Sequence, residues 1–132
     1  MTTMAVFKTR SGSSGVPADP EQLYRLLAAT NTGPAALWAH QADVLRAWHD
    51  DKLIHEADIA IELPTGSGKT LVGALVAEFL RRRDNKPVAY VCPNNLLARQ
   101  TATKLSDYGI PNVLLIDCRR RAETDPLATG WD

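Results

Sequence analysis

Three scarcities bound what this chain of 132 residues can be. Cysteine occurs twice, as Cys92 and Cys118, each at the end of an apolar run. Two such thiols read as buried and reduced; they make no disulfide framework, and without a Cys-x-x-Cys pair they make no zinc site. His40, His49 and His55 stand at no recognisable ligand spacing. Charge of one sign is also missing, because 15 basic residues face 15 acidic ones. A zero balance gives no general anionic-surface binder, although it leaves room for a local basic groove. No apolar stretch approaches the length of a membrane span, and residues 1–17 carry no apolar leader, so a cytoplasmic protein is the default expectation.

What is present suits one compact domain, with 45% of the residues hydrophobic. Residues 1–18 contain Ser11-Gly12-Ser13-Ser14-Gly15 and are expected to form a flexible N-terminal segment. Asp19-Pro20-Glu21-Gln22 then has the form of a helix start, with Asp19 as cap and Pro20 in the first turn. The helix from Pro20 to Ala29 places Leu23, Leu26 and Leu27 on one face, and Asn31-Thr32-Gly33-Pro34 ends it. A second helix over Leu37–Asp50 carries the stripe Leu37, Gln41, Val44, Leu45 and Trp48.

Beyond this helical lead the pattern alternates. Ala57–Leu63 is an alternating apolar run, hence a predicted strand. Lys69–Arg83 is a helix apolar nearly all round, as expected of one buried on more than one side. Pro87–Val91 is a second predicted strand, Asn94–Tyr108 a third long helix stopped by Gly109, and Asn112–Ile116 a third strand. Leu97, Thr101, Leu105 and Tyr108 mark the inward face of that last helix. Strand, helix, strand, helix, strand predicts an α/β fold with a parallel sheet flanked by helices.

Between the first strand and its helix lies Pro64-Thr65-Gly66-Ser67-Gly68-Lys69-Thr70. Glycines let backbone N–H groups turn toward phosphates, and the helix that follows presents its positive N-terminus. Lys69 supplies a point charge for the β- and γ-phosphates, and the Thr70 hydroxyl is placed for Mg²⁺. The segment is therefore expected to bind a nucleoside triphosphate, ATP with Mg²⁺. The general phosphate-loop pattern has glycine where this chain has Leu63, which points away from generic kinases and transport ATPases.

With Glu62–Thr70 in view, the chain resembles superfamily-two helicases and translocases of the DEAD/DEAH type, whose first motif often reads Pro-Thr-Gly-Ser-Gly-Lys-Thr. The resemblance spans about residues 35–117 and implies the N-terminal part of a RecA-like ATP-binding domain over residues 19–132. Carried over, Gln41 in Leu37-Trp38-Ala39-His40-Gln41 would recognise adenine; its other reading is a polar residue at a helix boundary. The segment Val88–Gln100 is similar to motif Ia, where Pro93, Asn94 and Arg99 would touch a nucleic-acid backbone. Family members usually have Thr after that proline, whereas Asn94 and Asn95 stand here, and Asn94 can equally cap the helix.

Hydrolysis in this family needs an Asp-Glu pair, and no Asp-Glu dipeptide occurs in the chain. Asp117 ends an apolar run but precedes Cys118, so it reads as a strand-ending residue more readily than as a magnesium ligand. The resemblance thus implies ATP binding by the front part of a motor, with DNA or RNA and the remaining helicase domains as partners and little turnover alone. The alternatives are a complete small nucleotide-dependent kinase using Asp117, or a non-enzymatic remnant that docks through a sheet edge. Arg81–Arg83 and Arg119–Arg121 read as solvated charge or helix-end complements, and Trp38 and Trp48 as core or boundary aromatics.

Overall fold

The computed structural model describes residues 16–29 and 36–116. The expected flexible lead falls mostly outside the described residues; the break at Asn31–Pro34, Asp117, Cys118 and Arg119–Arg121 lie wholly outside them.

Among the described residues four α-helices follow in order: α1 (Pro20–Ala28), α2 (Ala39–Asp50), α3 (Lys69–Asp84) and α4 (Asn95–Asp107), with a short 3₁₀ turn at Leu53–His55. Local chemistry sets their ends. Asp19 caps α1 by accepting the Gln22 N–H at 2.7 Å, and Pro20 fills a first-turn position where its missing donor costs nothing. Asn94 caps α4 in the same way, its side-chain oxygen accepting the Leu97 N–H at 2.9 Å. That helix closes in a Schellman turn, where Ile110 N–H donates to Leu105 O at 2.8 Å and Ile110 folds into the core.

Helix α3 is the hub, packing on α1, α2 and α4. Its buried residues, Leu71, Val72, Ala74, Leu75, Glu78 and Phe79, go round more than one side, which is why the sequence shows no single apolar stripe there. Leu23, Tyr24 and Leu27 of α1 and Leu45 and Trp48 of α2 complete the core. Leu26, expected beside Leu23 and Leu27, instead faces solvent. Trp48 meets Phe79 edge-to-face with ring centroids 5.9 Å apart, a geometry that adds roughly 0.5–1.5 kcal/mol to the burial of the two rings. Outside the core, the Arg46 guanidinium lies bidentate on the Glu21 carboxylate and ties α2 to α1.

Among the described residues no segment is hydrogen-bonded into a strand. The three segments expected as strands carry no ladder, and their apolar side chains stay largely open: Val91 is 86% and Leu115 87% exposed, with Ile59, Ile61, Val88 and Val113 also outside the core. A groove of about 730 Å³ runs between α3, α4 and the second and third of these segments, lined by Ala74, Tyr90, Leu105 and Val113. One contact does hold the second segment to α3. The Tyr90 ring lies so close over Gly73 that a Cβ there would stand 3.0 Å from it. That close approach explains a glycine in mid-helix, where alanine is intrinsically better by about 1 kcal/mol. On α4, Thr101, Leu105 and Tyr108 turn inward as expected, but Leu97 is exposed.

The buried Glu78 carboxylate faces its own helix end. Its oxygens accept from Arg81 Nε and Arg82 Nε, each at 2.7 Å, and from a second Arg81 nitrogen at 2.9 Å. Burial alone would push this carboxyl up, but the hydrogen bonds from Arg81 and Arg82 outweigh it and hold it below the usual carboxylate range. The triple Arg81–Arg83 run is therefore more than solvated charge: its first two members satisfy a buried anion. Because the folded carboxyl titrates below its unfolded counterpart, its contribution is full above about pH 4.3 and is lost as pH falls through the folded value. Glu78→Gln should lower unfolding free energy at pH 7 by about 1–3 kcal/mol. In urea titrations repeated from neutral pH downward, that difference should shrink toward zero in acid; a constant difference would contradict the ion-paired account.

Candidate phosphate-binding site

The site is assembled from one loop and two helix starts. Leu63 is buried and anchors the chain where it leaves the first apolar segment. The loop then turns back on itself, with Ser67 N–H donating to Pro64 O at 3.2 Å and the Ser67 hydroxyl to the same carbonyl. Gly66 and Gly68 both adopt positive φ, +79° and +76°, in the left-handed region where a side chain strains the backbone.

The two glycines answer different demands. At Gly66 no atom lies within 4 Å of where a Cβ would stand, so this side of the loop is open to an approaching group. At Gly68 a Cβ would fall 2.2 Å from Gln41 Nε2. Gln41 is buried, and its amide is held at both ends: Oε1 accepts the Trp38 N–H at 3.1 Å, and Nε2 donates to Ser67 O at 3.0 Å. His40 Nε2 lies 2.9 Å from the same Ser67 oxygen. A carbonyl oxygen only accepts, so that ring nitrogen carries the proton. Helix α2 thus grips the phosphate loop through two neighbouring side chains on a single backbone carbonyl.

Gly68 is the N-cap of α3, and its carbonyl accepts from Leu71 and Val72. The N–H groups of Lys69 and Thr70 open the helix and have no acceptor within it. Lys69 is exposed and makes no ion pair among the described residues; Thr70 is half-buried beside it. Free first-turn N–H groups, an uncommitted ammonium, a hydroxyl and the open side at Gly66 fit a phosphate chain with its divalent cation. Thr65 and Pro64 are exposed at the loop's leading edge. Pro93, Asn94 and Arg99 lie elsewhere, at the start of α4: all three are exposed, and the Asn94 oxygen is committed to its cap. Sequence reasoning missed His40, because a lone histidine without a ligand partner carries no signal; its position next to Gln41 was the only available clue.

A loop of this shape, between a buried leucine and an apolar helix, leaves helix-start N–H groups and a lysine open at one end of α3. The family described as type III restriction enzyme, res subunit, matches residues 35–121, about two-thirds of the chain, and the chain belongs to that family, within the helicase-like superfamily two. Its members are ATP-dependent proteins of helicase or nuclease type that generally use ATP with Mg²⁺ and generally bind nucleic acid. No curated protein and no solved structure matches the chain. Among the described residues no helix is long and apolar enough to cross a membrane, and no cluster of His, Cys, Asp and Glu could hold a metal.

The unequal crowding at the two glycines is testable. Gly66→Ala should cost about 1–2 kcal/mol, the strain of a left-handed non-glycine residue. Gly68→Ala should cost more, roughly 2–4 kcal/mol, since it must also displace the Gln41 amide from Ser67. Equal losses in equilibrium unfolding would show that Gln41 is not seated against the loop.

Proposed function

We propose that residues Pro64–Thr70 bind ATP·Mg²⁺ as the first motif of a DEAD/DEAH-type helicase or translocase, in which this chain is the front part of a nucleic-acid-dependent motor. The observation that carries the reading is the clamped loop itself. The Ser67 carbonyl is held from α2 while the first turn of α3, Lys69 and the open side of Gly66 are left free. In this reading the loop N–H groups and Lys69 hold the β- and γ-phosphates, and Thr70 ligates Mg²⁺. The metal, when bound, neutralises charge that develops on the phosphates. Gln41 holds the loop through Nε2 and keeps a second N–H on that nitrogen for the adenine edge.

The fold that goes with this function is the front of a RecA-like domain over residues 19–132. In this reading the segments at 57–63, 87–91 and 112–116 would pair into its parallel sheet. Supporting this are their placement before α3, between α3 and α4, and after α4, together with the apolar side chains they leave open. Remaining helicase domains would cover that surface. Nucleic acid would meet the start of α4 at the exposed Pro93, Asn94 amide and Arg99 guanidinium.

With no Asp-Glu pair in its 132 residues, the chain holds nucleotide without an activated water, so turnover should stay at background with or without DNA or RNA. Lys69→Ala should weaken ATP·Mg²⁺ binding by about ten- to a hundredfold in calorimetric titration, as expected for losing a charged hydrogen-bond donor. Nucleic-acid-stimulated hydrolysis by residues 1–132 would contradict the reading that these residues alone do not supply the catalytic carboxylates.

A further inference from the structure

Charge guards one of the three open apolar segments and leaves the other two bare. Residues 57–63 carry Asp58 and Glu62, both exposed, beside Ile59 and Ile61. Residues 87–91 and 112–116 hold no charged side chain at all. Val88, Tyr90, Val113, Leu114 and Leu115 of these two segments line one groove with α3 and α4, so they make a single surface. With Val91 they leave open on the order of 600 Å² of mostly apolar side chain, as much as the largest patch on an ordinary monomer and often the mark of an interaction site. The backbone is open as well. Among the described residues the N–H and C=O groups of 88–91 and 113–115 enter no backbone hydrogen bond.

We propose that this surface is the contact through which two copies of the chain associate about a two-fold axis. Charges on an edge are the usual block to pairing with an identical chain, and these two segments have none. The charge of the whole chain is balanced too, so no long-range repulsion keeps copies apart. A two-fold axis sets each segment antiparallel to its own copy, where a row of N–H and C=O groups finds its complement without a second sequence. The size fits: two such faces bury about 1,200 Å², the lower end of what a specific interface needs. Asp58 and Glu62 keep the first segment out of the contact. Remaining helicase domains would compete for the same surface, and a second copy is the occupant that these residues themselves supply. None of the groove's lining residues belongs to the phosphate loop, so the pairing is independent of nucleotide.

Sedimentation equilibrium of the full chain, from micromolar to hundreds of micromolar, should show a monomer–dimer equilibrium that ATP·Mg²⁺ leaves unchanged. Val91→Lys and Leu115→Lys replace side chains that the folded monomer leaves open. Each should weaken dimerisation by about tenfold or more, because the two-fold axis brings like charges into an apolar contact. Ile59→Lys, on the guarded segment, should leave dimerisation as it is. A chain that stays monomeric throughout overturns the proposal. So does a dimer that neither Val91→Lys nor Leu115→Lys weakens, one that Ile59→Lys weakens as much, or growth that does not stop at two copies. Far-UV circular dichroism checks that the variants keep their helices. Should either lose them, NOEs between copies in a mixture of ¹³C-labelled and unlabelled wild type decide: contacts from the Val91 and Leu115 methyls support the two-fold contact, and contacts confined to other residues, or none, overturn it.

Discussion

The carbonyl oxygen of Ser67 is the point on which the site depends. A phosphate loop works only if its backbone is turned so that N–H groups face outward, and such a turn places carbonyls inward, where they need donors. Here the donors are the Gln41 amide and the His40 ring, from a helix about 26 residues earlier in the chain. An inward carbonyl left unpaired would cost about 1–3 kcal/mol and favour a different loop. Two donors on one oxygen therefore select the loop shape, and they do so from α2, which is itself locked to α3 by Trp48 on Phe79 and to α1 by Arg46 on Glu21. The geometry of a few loop atoms is inherited from the packing of three helices.

That dependence gives α3 two different ends. At its N-terminus the backbone donors and Lys69 are uncommitted, as a binding site for anions requires. At its C-terminus the charges are paired: Glu78 is buried and neutralised by Arg81 and Arg82, and Arg83 meets Asp84, so the helix carries its basic residues where the dipole favours them. Between the two, Gly73 gives up helix propensity to let Tyr90 approach. The order of free, packed and paired along one helix is what lets a mostly buried element still offer a reactive end.

Much of this was legible beforehand. All four helices could be located to within a residue or two, because their caps are chemical: Asp19 with Pro20, Gly68, Asn94 and the Gly109 stop. The loop's place ahead of α3 was legible too, whereas the sequence marks Leu63 only as a departure from the usual glycine and not as the buried residue it is. Less so was the use of side chains whose type is ambiguous. Gln41 could face a base or a boundary, and it is the bond to a carbonyl in a distant loop, invisible to periodicity, that settles where its Nε2 points. His40 had no local signature at all. Asn94 was readable both as a cap and as a nucleic-acid contact, and its oxygen is used for the cap. Periodicity reads Trp38 as a core or boundary residue, because stripe arguments count hydrophobicity and not which end of the helix the ring overhangs, and the ring is exposed. The strands expected at 57–63, 87–91 and 112–116, the first from its alternation, correspond to no ladder among the described residues. Alternation states which faces a strand would have, whereas a ladder needs neighbours at 4.7–4.9 Å, and that is a tertiary matter.

The central claim is that a loop shaped from α2 meets phosphate with its own backbone. The most direct measurement is a backbone-amide NMR titration of the ¹⁵N-labelled chain with ATP·Mg²⁺. The account predicts the largest shifts at the amides of Gly66, Gly68, Lys69 and Thr70, with the side-chain amide of Gln41 moving in step. Shifts confined to the start of α4, or none at the loop at saturating nucleotide, would contradict it.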